Sequence, residues 1–319
     1  VIDHSRIDPG RGGKAGLDTL VEKARELGLG LLVDIMPNHM GVATPILNNW
    51  WWDLLTYGRE SRYAPAFDVD WEYGDGKIRI PVLDDDSLDV LIFSDGELRY
   101  NENRYPIALG TADDGADAQT VHSRQHYELI NWRRADAEPN YRRFFGINTL
   151  AGIRVEDADV FRGSHTEIAR WFREGLVDGL RIDHPDGLAQ PAEYLEDLAA
   201  LTNDSYLIVE KILSGREQLP EDWMTAGTTG YEALADFDRI LVDPSGEAPL
   251  TALDLSFASA GSQIPASFAE LVHQMKREVA DGSLRSEVLR VQRDLAHSGA
   301  IGSASHGAEH TADALAELL

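Results

Sequence analysis

The chain has 319 residues, of which 43% are apolar and 26% charged, an ordinary globular balance with enough apolar residues for a sizeable core. Asp and Glu number 55 against 29 Lys and Arg, a formal charge of −26; so acidic a surface repels phosphate backbones and anionic lipid heads, which argues against nucleic acid and membranes as partners. There is no cysteine, which excludes disulfides and thiolate metal sites and fits a reducing cytoplasm, and neither a signal peptide nor an apolar run near the ~18 residues of a spanning helix is recognisable.

The sequence opens at Val1 directly into "VIDHSRIDPGRGG", which reads as a chain entered in mid-domain. In "GLDTLVEKARELGLG", Leu17, Leu20, Val21, Ala24 and Leu27 are spaced as one stripe of a helix, with Gly28 as its stop. Leu29, Leu31, Leu32, Val33 and Ile35 follow as a nearly continuous apolar run, the pattern of a strand buried on both faces. Pro37 ends it.

Residues 42–162 intervene before that grammar returns. They hold "NNWWWDLLTYGRES", the strand-like "KIRIPVLDDDSLDVLIF", a turn "SDGE" and the loop "LGTADDGADAQ". So long a structureless loop is improbable, so the expectation is a small inserted subdomain with short antiparallel strands of its own.

Beyond it, Ile168, Trp171, Phe172 and Leu176 mark a helix, Leu180 and Ile182 a short strand, "PAEYLEDLAALTND" a helix, and "YLIVE" (206–210) a strand. "GTTGYEAL" is a candidate for one more strand leading into a helix. Helices alternating with buried strands predict a mostly parallel sheet. From 250 onward the pattern is helical, with Phe268, Leu271, Val272 and Met275 at helical spacing; "GSASHG" interrupts it before a last helix in "EHTADALAELL".

The strand ends carry titratable groups. Asp34 closes the first strand, with Asn38 and His39 just beyond; Arg181, Asp183 and His184 close the second; Glu210 and Lys211 close the third. In parallel α/β folds the ligand site lies at the carboxyl ends of the strands. Taken singly, such an Asp is a helix cap, such a His a satisfied partly buried ring, and Arg181 beside Asp183 a simple ion pair. The repetition in three units favours a shared site.

Two carboxylates on adjacent strands suit glycosidic chemistry, one attacking the anomeric carbon and the other, kept protonated, protonating the leaving oxygen. Retaining enzymes hold the pair about 5–5.5 Å apart, and neighbouring strands are about 4.8 Å apart. Arg181 favours the ionised form of a nucleophile at Asp183, and Glu210 on the next strand suits the acid/base role.

"DIMPNH" (34–39), "GLRID" (179–183) and "VEKIL" (209–213) resemble the first three signature regions of the α-amylase family of glycoside hydrolases. "HSRIDPGRGG", "NNWWWDLL", "YRRFFGINTLAGIRVE", "RIDHPDGL" and "AGTTGYEAL" resemble, within it, the maltooligosyl trehalose synthase family. The resemblance covers residues 1–234 and is weaker beyond 249.

It implies a (β/α)8 barrel, incomplete in this chain, divided as barrel part (1–41, helix and third strand), inserted subdomain after the third strand (42–162), barrel part (163–249) and helical segment (250–319). It implies an intramolecular transglycosylation that turns the reducing-end α-1,4 linkage of a maltooligosaccharide into an α,α-1,1 linkage. Asp183 is then the nucleophile and Glu210 the acid/base. Asp34, His39 and Arg181 hold the sugar or the nucleophile, and His184 and Lys211 lie toward the leaving glucose. Trp50–Trp52 and Tyr57 are either sugar-facing or core of the insert, and core is favoured for Trp51. Asp186 reads as a loop or cap residue.

No cofactor and no metal is implied. The implied partners are the maltooligosaccharide and, functionally, a trehalose-releasing hydrolase. The family's third carboxylate is not found in this chain. The rivals are another amylase-family hydrolase or 4-α-glucanotransferase, and an inactive oligosaccharide-binding fragment. A phosphate-binding α/β protein fails, because no Gly-rich phosphate loop follows any strand.

Overall fold

A computed structural model describes residues 1–113, 115–257, 267–299 and 307–318. The first helix, α1 (Gly13–Glu26), stops as its sequence predicts. Gly28 adopts φ 69°, its N–H donates to the Arg25 carbonyl, and the Leu29 N–H reaches back to that of Ala24, the closure of a Schellman motif. Then come β1 (Leu32–Ile35), β2 (His39–Gly41), α2 (Asn49–Tyr57), β3 (Ile78–Leu83), β4 (Ile92–Ser94), β5 (Glu97–Tyr100), β6 (Asn103–Pro106), α3 (Ala118–Ser123), β7 (Tyr127–Asn131), β8 (Arg143–Phe144) and β9 (Ile147–Gly152). The chain continues through α4 (Ala158–Ser164), α5 (Thr166–Arg173), β10 (Gly179–Ile182), α6 (Pro191–Thr202) and β11 (Tyr206–Val209). It closes with α7 (Tyr231–Leu241), α8 (Glu247–Phe257), α9 (Phe268–Asp281), α10 (Arg285–His297) and α11 (Ala308–Leu318).

The expected parallel sheet is present, in the order β1-β10-β11. Ile35 is level with Ile182, and Ile182 with Val209. Because side chains alternate along a strand, this register divides the sheet cleanly. Val33, Ile35, Leu180, Ile182, Leu207 and Val209 share one face, and all but the half-exposed Val33 are buried in the main core. The other face carries Asp34, Arg181, Asp183 and Glu210.

This corrects the expectation of a first strand buried on both faces: Leu32 is 49% exposed, Asp34 is exposed, and only Ile35 is buried. β1 is the edge of the sheet, and its apolar run covers just one side. The α1 stripe is likewise only partly covered, since Ala24 is buried but Leu20 and Leu27 are exposed. The further strand suggested by "GTTGYEAL" amounts to one parallel bridge, Val209 to Thr228. Among the described residues the strands form four small sheets and no closed barrel.

The segment between β1 and β10 holds the antiparallel sheets β2-β9-β8 and β4-β5-β6, as its short strands suggested, but also a pair that the sequence did not suggest. β3 and β7 are parallel, linked over a span that includes β4–β6 and α3. Trp51 is 1% exposed and packs edge-on against Phe67 and Tyr141, so it is core. Trp50 stacks on Tyr63 at 5.0 Å. One continuous apolar core joins this segment to the parallel sheet.

α9, α10 and α11 form a small separate core around Ala280, Val288, Ala312 and Ala316. The interruption at "GSASHG" lies, except for its last glycine, outside the described residues. α10 is fastened to the inserted segment by charges: Arg143 to Glu287 at 2.9 Å, Arg290 to Asp68 at 2.6 Å and Arg293 to Asp70 at 2.8 Å. α7 and α8 bury no residue and leave Phe237, Ile240, Leu241, Leu250 and Phe257 exposed.

Candidate active site

Asp34, Arg181, Asp183 and Glu210 meet at the carboxyl end of the parallel sheet. Asp34 is the register partner of Arg181. Asp183 and Glu210 are each the first residue past their strand, held level by backbone bonds from Asp183 N–H to the Ile35 carbonyl (2.9 Å) and from Glu210 N–H to that of Ile182 (2.8 Å). Arg181 is the hub. One terminal nitrogen donates to Asp34 at 2.7 Å and to Asp183 at 2.9 Å, and the other sits 3.0 Å from Glu210. Partial burial alone disfavours its charge, but the bonds to Asp34 and Asp183 and the charges of Asp34 and Glu210 outweigh it, so the guanidinium is held more firmly protonated than usual. A planar cation with several fixed donors is the group able to span three carboxylates at once.

His39 lies beside the quartet and is 1% exposed. Burial above all, helped by His184 and Arg142 and opposed by Asp183, lowers its pKa to about 4, so at neutral pH it is an uncharged ring. Its ring centroid is 4.3 Å from that of Phe144. His184, the residue after Asp183, takes the left-handed conformation (φ 50°, ψ 56°) and meets Phe144 at 5.1 Å and Phe145 at 5.3 Å. Lys211 is paired elsewhere, with Asp186 at 3.1 Å and Glu217 at 2.9 Å. Strand alternation turns it away from Glu210's side. Asp186, in the turn Pro185–Gly187, is thereby a loop residue with an ionic partner.

Four contributors to this region did not stand out in the sequence. The Tyr231 hydroxyl donates to Glu210 at 3.3 Å. It arrives there because residues 226–229 add to the edge of β11 through Ala226 N–H to Leu207 and Thr229 N–H to Val209, after which Gly230, at φ 89°, turns the chain into α7. Arg142 donates to the Asn38 side chain at 2.8 Å and to the Gly187 carbonyl at 3.2 Å, tying together the loops that follow β1 and β10. Phe144 and Phe145 complete the set. Arg142, Phe144 and Phe145 depend on the β8–β9 hairpin, whose register cannot be read from "YRRFFGIN" alone.

A cavity of about 900 Å3 opens against Asp34 and Asp183 and is lined besides by His4, Met36, His165 and Trp171; its size is that of a small-molecule site. Among the described residues no cluster of three or more His, Asp and Glu side chains is arranged to hold a metal ion, and no helix is long and apolar enough to cross a membrane. What the quartet can do is hold two carboxylates, one on each of two neighbouring strands, at the same level beside an open cavity.

No family model matches the chain. A curated relative from Mycobacterium tuberculosis, provisionally named a maltooligosyl trehalose synthase, is 45% identical over 312 residues, which is 97% of this chain and 39% of the relative. The solved structure of maltooligosyltrehalose synthase from Arthrobacter ramosus is 54% identical with a TM-score of 0.88, over 95% of this chain and 39% of that one. Another solved maltooligosyl trehalose synthase is 33% identical with a TM-score of 0.81, over 99% of this chain and 41% of that one.

Proposed function

Because this chain belongs to the maltooligosyl trehalose synthase family, and spans about two fifths of the length of its curated relatives, we propose that it carries the nucleophile and the acid/base of an intramolecular transglycosylase. The substrate is a maltooligosaccharide, and the reaction converts its reducing-end α-1,4 linkage into an α,α-1,1 linkage. The observation that carries this reading is Arg181 bridging Asp34, Asp183 and Glu210 at the ends of three adjacent parallel strands.

In this reading Asp183 attacks the anomeric carbon next to the terminal glucose. The bond from that carbon to O4 of the glucose breaks, and Glu210 delivers a proton to O4. The sugar is then held as an ester on Asp183. The freed glucose turns in place, its anomeric hydroxyl attacks the same carbon, its proton passes to Glu210, and the ester bond to Asp183 breaks. Two displacements give net retention. Adjacent strand ends, about 4.8 Å apart, match the short carboxylate separation that this course needs. Arg181 keeps Asp183 aimed, Asp34 and the neutral His39 hold the sugar, and His184 lies on the side of the departing glucose, whereas Lys211, engaged with Asp186 and Glu217 away from Glu210, has no place there.

We place the three-stranded sheet in a (β/α)8 barrel whose parts in this chain are residues 1–41 and 163–249, with 42–162 inserted and 250–319 a helical segment. The TM-scores of 0.81 to 0.88 with solved relatives and the exposed apolar faces of α7 and α8 support that placement. A cytoplasmic enzyme that hands its product to a trehalose-releasing hydrolase completes the proposal. Replacing Asp183 by Asn or Glu210 by Gln in the full-length protein tests it; retention of substantial non-reducing product formation by both would reject the assignment.

A further inference from the structure

We propose that Phe144 and Phe145, at the tip of the β8–β9 hairpin, form an aromatic wall that holds the freed glucose and keeps water from the ester on Asp183, so that they set the ratio of transfer to hydrolysis. The proposal rests on the transglycosylase reading of Asp183 and Glu210. Its basis is a continuous chain of ring contacts: His39 to Phe144 at 4.3 Å, Phe144 to Phe145 at 4.6 Å, and Phe145 to His184 at 5.3 Å. His184 is the residue next to Asp183, so the wall is anchored to the nucleophile's own strand end.

Three features show that the hairpin tip is held in place rather than merely present. Phe145 adopts φ 49°, a conformation that bulky residues rarely tolerate and that persists only where the surroundings enforce it. Its neighbour Gly146 lies so close to the α9–α10 turn that a Cβ there would sit 3.0 Å from the Ser283 carbonyl. Behind the tip, the Arg143 side chain is fully buried and bonds Glu287 through two nitrogens at 2.9 Å each and Ser286 at 2.7 Å. Yet Phe145 itself is 56% exposed. A large apolar ring fixed at a cost in backbone strain and left open to solvent beside a polar site is poised for a ligand with an apolar face, and the C–H face of a pyranose is one.

The chemistry gives the wall its consequence. The bond between the anomeric carbon and Asp183 breaks whether O1 of the glucose or a water oxygen attacks, and in both cases the attacker's proton goes to Glu210. The first course yields the non-reducing product, the second free glucose and a shortened chain. A ring that packs on the glucose and fills the space open to water favours the first.

The test uses the full-length protein with maltopentaose, and initial rates of free glucose and of non-reducing product are measured together. Phe145→Ala is expected to raise the ratio of glucose to non-reducing product by about tenfold, the size of effect that one pocket group exerts on discrimination, while Phe145→Tyr, which keeps the ring, stays near the unsubstituted ratio. A Phe145→Ala ratio within about twofold of the unsubstituted one, or a Phe145→Tyr variant that leaks as much as the alanine one, overturns the wall. If the unsubstituted protein makes no non-reducing product, the transglycosylase reading itself falls and takes the wall with it.

Discussion

The Glu287→Ala variant probes how the helical segment supports the hairpin beside the candidate active site. Arg143 has no exposed side-chain surface, and its guanidinium bonds Glu287, Ser286, Asn148 and the Ala135 carbonyl. Of these only Glu287 carries a charge to match it. Removing one member of a buried pair costs about 3–5 kcal/mol. Glu287 is 29% exposed, so water reaches the vacated space and the cost settles nearer about 2–3 kcal/mol. At 1.36 kcal/mol per factor of ten, that is roughly a 30- to 150-fold increase in local opening. The assay is amide hydrogen exchange on the full-length protein, read at two donors of the hairpin sheet: Gly152, bonded to the Arg142 carbonyl, and Val42, bonded to that of Thr149. Protection lost at these amides by less than about threefold would show that the ion pair does not hold the hairpin.

Asp183→Asn and Glu210→Gln are each expected to lower turnover of maltopentaose by at least about 10^2- to 10^4-fold, with fold retained by circular dichroism; a loss under tenfold in either would remove that residue from its role. Trp51→Ala is expected to destabilise the protein by about 3–5 kcal/mol, because it empties a core position between Phe67 and Tyr141; a thermal midpoint equal to that of the unsubstituted protein would contradict its core position. Stability should also fall on mild acidification. Burial lowers His39, His122 and His165 to about 4, below the ordinary value of about 6.5. Between those two pH values the unfolded chain binds protons that the folded one does not. The stability is therefore complete above about pH 6.5 and is lost as pH falls toward 4, by up to about 1.4 kcal/mol per pH unit for each ring. Thermal midpoints at pH 7 and pH 5 check this, and equal midpoints would count against it.

The gathering of charged side chains at the strand ends was more legible than the packing. Asp183 and Glu210 are readable because an apolar strand that ends in a carboxylate leaves a local signature, and two such strands in parallel register bring the ends together. Arg181 is readable for the same reason, one alternation earlier. Its third partner, Glu210, is not, because the contact crosses a βαβ unit. The apolar run of β1 suggested burial on both faces, but a run reports composition and not which side has a neighbour; Leu32 is exposed at the edge of the described sheet, and the exposed Leu29 precedes the strand. Lys211 is adjacent to Glu210 in sequence, yet its ammonium lies with Asp186 and Glu217, since successive strand residues point to opposite sides. The parallel pairing of β3 with β7 and the reach of Arg143 to Glu287, 144 positions away, depend on tertiary closure and leave no periodic mark.

The carboxylates gathered by Arg181 are proposed to perform transfer within one sugar chain. The direct measurement is the full-length protein incubated with maltopentaose, with reducing ends and free glucose followed over time. Loss of reducing ends without shortening of the chain is the predicted result; accumulation of free glucose and shorter chains, with reducing ends rising and no non-reducing product, would contradict it.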